Sequence, residues 1–230
     1  MKLLPGRMQV LGWLPDALVS VRGDDRGRAL YLTFDDGPHG GCTPALLDLL
    51  RAYRACASFF LVGRNVERHP ELVQRMVDEG HRLGNHSYTH PQFGRLSLAQ
   101  QLEEIDVTDR LLARFDGVRR HRFRPPRGVF SLGLTAHFAA RRRNLTYWSY
   151  NSMDYQRGDP VEFIARMRAA PPKAGEVILM HDDGDCAIRM LETLLGEWQA
   201  AGFQFCALPH ARQTHAAPEQ DVAVRSANPG

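Results

Sequence analysis

A chain of 230 residues with 43% hydrophobic and 24% charged side chains has enough apolar material for one sizeable core, which excludes a disordered or fibrous chain. Lys and Arg outnumber Asp and Glu by only 29 to 26, a net charge of +3 that gives no reason to expect a nucleic-acid partner. The four cysteines, Cys42, Cys56, Cys186 and Cys206, stand far apart without a Cys-x-x-Cys pair, so they read as reduced thiols rather than a zinc knuckle or disulfide framework.

In chain order, the first segment starts basic, and its apolar stretch from Met8 to Val21 is interrupted by Pro15 and Asp16. That break speaks against an export signal, so a cytoplasmic protein is expected. Weak interfacial attachment to a membrane through Leu11, Trp13, Leu14 and Leu18 is the alternative. No stretch approaches the roughly 18–20 apolar residues of a membrane span. Residues 1–28 are read as an N-terminal extension.

Short β-type runs then alternate with segments of helical period. Ala29 to Phe34 predicts a first strand ending in the turn Asp35-Asp36-Gly37-Pro38. Thr43 is expected to cap a helix with Pro44 at its first position. A second strand, Ala57 to Val62, leads into one helix from Asn65 to Glu79, stopped by Gly80. Further strands are expected at 82–84, 122–124, 145–148, 176–180 and 203–206, with helices over 98–115, 132–140, 160–169 and 188–200. Seven strands with intervening helices define an α/β fold, a distorted (β/α)7 barrel over residues 29–208, with an open doubly wound sheet as the alternative. Residues 209–230 lack periodicity and read as a disordered tail. Two basic runs, Arg119 to Arg127 and Arg141 to Arg143, read as solvated loop and helix-end charge, with anionic substrate or headgroup contact as the second reading.

Parallel strands open their carboxyl ends onto one face, and the ionisable residues gather there: Asp35 and Asp36 after the first strand, His86 and His90 after the third, Arg124, Asp154 and His181 after later ones. His86 and His90, spaced i, i+4, can put two imidazoles on one side of a helical turn, and a carboxylate would complete a metal-binding triad. Of the adjacent carboxylates Asp35 and Asp36, one can bind metal while the other remains a base, although Asp-Asp-Gly-Pro by itself is a good turn. His181, closing a hydrophobic strand, suits a proton donor to a leaving amine or a satisfied core histidine.

Read together, Thr33-Phe34-Asp35-Asp36-Gly37-Pro38, His86-Ser87-Tyr88-Thr89-His90, Arg124-Pro125-Pro126-Arg127-Gly128, Asp154-Tyr155 and Leu179-Met180-His181 resemble the polysaccharide deacetylase family, carbohydrate esterase family 4 with its NodB homology domain. The resemblance implies a hydrolase that removes N-acetyl groups from N-acetylglucosamine-containing poly-, oligo- or lipid-linked saccharides. It also implies a divalent ion, zinc foremost and cobalt or another ion as alternatives, held by Asp36, His86 and His90. Asp35 would then be general base held by Arg124, and His181 general acid held by Asp154. Tyr88, Tyr155 and Leu179 would contact substrate, and a backbone N–H of Tyr88 or Thr89 would stabilise the oxyanion. Arg127, Asn151 and Tyr155 depart from the commoner residues of these motifs, which bears on substrate identity more than on catalysis. The competing readings are an O-acetyl sugar esterase or other amide hydrolase on the same scaffold, and a catalytically silent carbohydrate-binding domain. The compact length favours a soluble or lipid-linked saccharide over mature wall polymer. Oligomeric state is not legible.

Overall fold

The computed structural model describes residues 11, 13–15, 18–129, 131–143 and 145–210. Its strands are β1 (Val19–Ser20), β2 (Ala29–Asp35), β3 (Ser58–Leu61), β4 (Arg82–Asn85), β5 (Arg122–Phe123), β6 (Leu145–Thr146), β7 (Tyr150–Asn151), β8 (Val177–His181) and β9 (Gln204–Phe205). The helices are α1 (Thr43–Ala52), α2 (Gly63–Arg68), α3 (Pro70–Asp78), α4 (Leu98–Asp116), α5 (Leu132–Ala140), α6 (Pro160–Ala169) and α7 (Cys186–Ala200). All strand pairings are parallel, in the order β1-β6-β5-β4-β3-β2-β8-β7, with β9 beside β2.

The barrel curls shut through one short stretch. Leu145–Thr146 pairs with β5 and β1, and four residues later Tyr150–Asn151 pairs with β8, so the segment 145–151 spans the two ends of the sheet. The expected strand 145–148 is thus divided: the Tyr147 N–H donates to Ser20 and the Ser149 N–H to Val177. The last strand lies at the amino end, where β9 pairs with Ala29 and Leu30 and the Phe205 carbonyl accepts from Cys56.

Strand alternation sorts the residues into two layers. On β2, Leu30, Leu32 and Phe34 face the helices and join the main core with Leu46, Leu50, Met180, Leu191 and Leu194. Ala29 and Tyr31 face inward with Phe60 and Val177. Burying each of the larger apolar side chains stabilises the fold by about 1.5–3 kcal/mol. The same inward face carries Thr33 and Asp35 on β2, and Leu179 and His181 on β8, toward the carboxyl end.

Several expectations are corrected. Residues 65–79 form two helices, because Pro70 starts a new one and His69 leaves helical geometry at φ −134°, ψ 54°. Thr43 lies within α1 rather than capping it, and α7 begins at Cys186, two residues early. The extension is partly integral, since Val19–Ser20 extends the sheet, and Leu11, Leu14 and Leu18 pack on the cluster of Phe93, Phe123 and Phe138. Of the four residues considered for interfacial attachment, only Trp13 stays largely exposed, at 74%. The basic runs are not uniformly solvated: Arg124 and Arg143 are buried, the latter paired with Asp109 at 2.8 Å. The four cysteines are free, and no described helix is long and apolar enough to cross a membrane. Residues 211–230, nearly all of the expected tail, lie outside the described residues.

Candidate metal centre and acid–base pair

Asp36 follows the buried end of β2 in a left-handed conformation, φ 77°, and the Asn65 side-chain amide donates to its carbonyl at 2.8 Å. This turn directs the carboxylate at the β4 loop. Asp36 Oδ1 lies 3.5 Å from His86 Nε2 and 3.3 Å from His90 Nε2. Contrary to the helical spacing expected, residues 86–90 form a non-helical loop in which Ser87 (φ 71°) and His90 (φ 54°) are left-handed.

The protonation states make these contacts informative. His86 Nδ1 sits 2.8 Å from the Arg124 carbonyl, which can only accept, so Nδ1 carries the proton and Nε2 presents its lone pair to Asp36. Burial foremost drives the His86 pKa down to about 3, against the pull of Asp36, so the ring is neutral. Asp36 Oδ1 is buried and has no hydrogen-bond partner among the described residues. Two facing acceptors without a proton between them repel unless a cation lies among them. The donor set of two imidazoles and a carboxylate, its atoms all within 4.8 Å of one another, fits a divalent metal ion with positions left open.

Asp35 stands beside this triad, its Oδ2 3.7 Å from His86 Nε2. Arg124 Nη1 donates to Asp35 Oδ1 at 2.6 Å and to Thr33 Oγ1 at 2.9 Å, while Nη2 donates to the Tyr147 carbonyl at 3.1 Å. The guanidinium is fully buried and lies 4.0 Å over the Phe60 ring. Burial raises the Asp35 pKa, opposed by the Arg124 and His181 charges, and the net displacement is upward.

His181 ends β8 in register with Asp35. Asp154 accepts its backbone N–H at 2.7 Å on Oδ2, and Asp154 Oδ1 lies 3.1 Å from His181 Nδ1. Ser152 Oγ donates to the same Oδ1 at 2.6 Å. Burial alone would discharge this imidazole, but the hydrogen bond and charge of Asp154, with Asp35 and Asp36 beyond, raise its pKa to about 9. His181 is therefore cationic at neutral pH, with Nε2 free of Asp154. The Tyr155 ring packs edge-on against it at 5.3 Å and is 54% exposed. Leu179 lies two residues back on the same inward strand face, buried.

One expectation from the sequence fails here. The Tyr88 and Thr89 N–H groups both donate to Glu104 Oε2, at 2.9 and 2.7 Å, so neither is available to an oxyanion. The Tyr88 hydroxyl donates to Glu67 on α2 at 2.9 Å. Four residues with no role assigned from the sequence also join the site: Thr33, Ser152, Glu104 and Asp182. Asp182 is buried beneath the Asp36 turn, its Oδ2 accepting from Thr43 at 2.8 Å, and burial first pushes its pKa up to about 7. Of these, Thr33 and Ser152 each stand two residues ahead of a site carboxylate and Asp182 directly follows His181, whereas Glu104 carries no local signal.

At its strand ends the curled parallel barrel brings together the cluster of Asp36, His86 and His90, the buried Asp35–Arg124 pair and the Asp154–His181 pair. The family model for polysaccharide deacetylase matches residues 22–148. A chitooligosaccharide deacetylase of Bradyrhizobium sp. (strain ANU 289) is 34% identical over 204 residues, 81% of this chain and 92% of that protein. The peptidoglycan-N-acetylmuramic acid deacetylase PdaA of Bacillus subtilis (strain 168) is 30% identical over 188 residues, 80% of this chain and 71% of that one. Among solved structures, the Bc1960 peptidoglycan N-acetylglucosamine deacetylase superposes with a TM-score of 0.80 at 27% identity, covering 86% of this chain and 94% of that one. The chain belongs to the polysaccharide deacetylase family.

Proposed function

We propose that this protein is a metal-dependent hydrolase that removes N-acetyl groups from saccharides containing N-acetylglucosamine, releasing acetate and a free amino sugar. The observation that carries the reading is geometric: the Asp35 carboxylate held by Arg124 and the His181 imidazole held by Asp154 flank one two-histidine, one-carboxylate triad. A zinc ion on Asp36, His86 and His90 would supply Lewis-acid polarisation of the amide carbonyl and lower the pKa of a nearby water.

The protein residues then divide the proton work. Asp35, oriented through one oxygen by Arg124, uses the other to take a proton from the attacking water. His181 delivers the proton held at Nε2 to the departing nitrogen, while Nδ1 stays on Asp154. The substrate gains water across its C–N bond, so acetate and amine account for every atom. The exposed Tyr155 face and the Leu179 side chain supply apolar surface for the acetyl methyl and sugar ring.

A cationic His181 supports amide over ester cleavage, because an amine must be protonated to leave whereas a sugar alkoxide is a better leaving group. The retention of base, acid and all three ligands argues against a silent binding domain. The deciding assay is acetate release from N-acetylglucosamine oligomers and from O-acetylated sugars, with and without chelator, beside Asp35→Asn and His86→Ala. Chelator-sensitive release from the N-acetylated substrate, lost in both variants, is expected. Release from the O-acetylated sugar alone would overturn the amide assignment.

A further inference from the structure

The loop bearing both histidine ligands is left-handed at Ser87 and His90, a conformation that costs a non-glycine residue about 1–3 kcal/mol each. Something must hold it, and its backbone partners can be traced. Its carbonyls face α2: Ser87 O accepts from the Gly63 N–H and Tyr88 O from the Arg64 N–H, both at 3.0 Å, and Thr89 O accepts from the Arg64 side chain at 3.0 Å. Its N–H groups look the other way. Ser87 donates to Asn85 Oδ1 and His90 to Ser87 Oγ, while Tyr88 and Thr89 both donate to Glu104 Oε2. The Thr89 hydroxyl donates to Glu104 Oε1 at 2.9 Å.

Glu104 thus gathers three donors of a five-residue loop onto one carboxylate of α4. A second tie from the same helix fixes the loop's start: Asn85 Nδ2 donates to the Ile105 carbonyl and to Asp109 Oδ1, each at 2.8 Å, and Asp109 is itself held by Arg143. The region between the ligands is clamped between α2 and α4, and among the described residues Glu104 is the one carboxylate that accepts N–H groups from between His86 and His90.

We propose that Glu104 is a positioning residue for the metal centre: it holds the loop in the left-handed geometry that aims His86 Nε2 and His90 Nε2 at Asp36, and so sets metal affinity. The inference rests on reading that triad as a metal site. It assigns Glu104 no contact with substrate. What matters is the reach of its oxygens to two N–H groups, rather than its charge.

That distinction sets the test. Glutamine keeps the length and one oxygen able to accept both N–H groups; aspartate keeps the charge but draws it back by one methylene. Zinc affinity of the purified protein, measured by competition with a chromophoric chelator, is expected to stay within about threefold of wild type in Glu104→Gln. In Glu104→Asp it should weaken by about 10- to 100-fold, the range for losing a group that orients a metal ligand. Val73→Ala, which opens a cavity in the core of α3, supplies a destabilised control whose zinc affinity should not move. Aspartate retaining wild-type affinity while glutamine loses it would show that charge acts instead of reach. Unchanged affinity in both, or an equal loss in the control, would equally overturn the proposal. If the wild-type protein bound no zinc, the metal reading itself would fail first, and separately.

Discussion

Replacing Asp154 with asparagine isolates the electrostatics of the proposed acid. In the native site His181 titrates near 9, about 2.5 pH units above its ordinary 6.5, equivalent to roughly 3 kcal/mol between its two protonation states. Burial works against that displacement, so the upward shift comes from carboxylates, Asp154 first among them. Asparagine can still accept the His181 backbone N–H and still meet Ser152, so the fold is expected to survive. Burial then acts with less opposition, and the His181 pKa should fall to about 6.5 or below. At pH 8 roughly 3% or less of the imidazole would be protonated, a loss of about 30-fold in kcat/KM, whereas near pH 6 that loss shrinks to a few-fold. The assay is acetate release across pH 5–10 for both proteins. The alkaline limb of kcat/KM should move from near 9 to below 7. An alkaline limb unmoved within half a unit would mean that His181 is not the proton donor.

Three further outcomes follow from particular contacts. Arg124→Met leaves the buried Asp35 carboxylate without its partner and should destabilise the protein by about 3–5 kcal/mol, seen as a melting temperature lower by roughly 10 °C; a change under about 1 kcal/mol would count against the buried pairing. Gly37→Ala places a Cβ 2.1 Å from Asp182 Oδ2, so the Asp36 turn must shift, and both denaturation midpoint and zinc affinity should fall. His81 accepts the Ala57 N–H at 3.1 Å as a neutral ring, with burial holding its pKa near 4. Its folded-state pKa is depressed, so its contribution is present above 6.5 and lost as pH falls through 6.5 toward 4, about 3 kcal/mol in all. Denaturant midpoints measured over that window should fall with acid in the native protein and fall less steeply in His81→Gln.

Features that are local or periodic were legible in the residues alone. Helices over 132–140 and 160–169 appear with the expected bounds, because apolar spacing and the Asp159-Pro160 and Ser131 starts act within a few residues. The placement of Asp35, His86, Arg124 and His181 at the ends of strands was likewise legible, since parallel strands put their carboxyl ends on one face. Tertiary structure decided the rest. Whether Arg124 points outward to solvent or inward to Asp35 depends on strand register, and its partner lies 89 residues away. The His86–His90 spacing fits a helical turn, yet packing against α2 and α4 imposes a left-handed loop instead. That loop turns the Tyr88 and Thr89 N–H groups toward Glu104, and no local pattern announces a partner 15 or 16 residues on. Closure of the barrel through residues 145–151 has the same character: a short segment takes its conformation from two distant edges, and neither is encoded in its own residues.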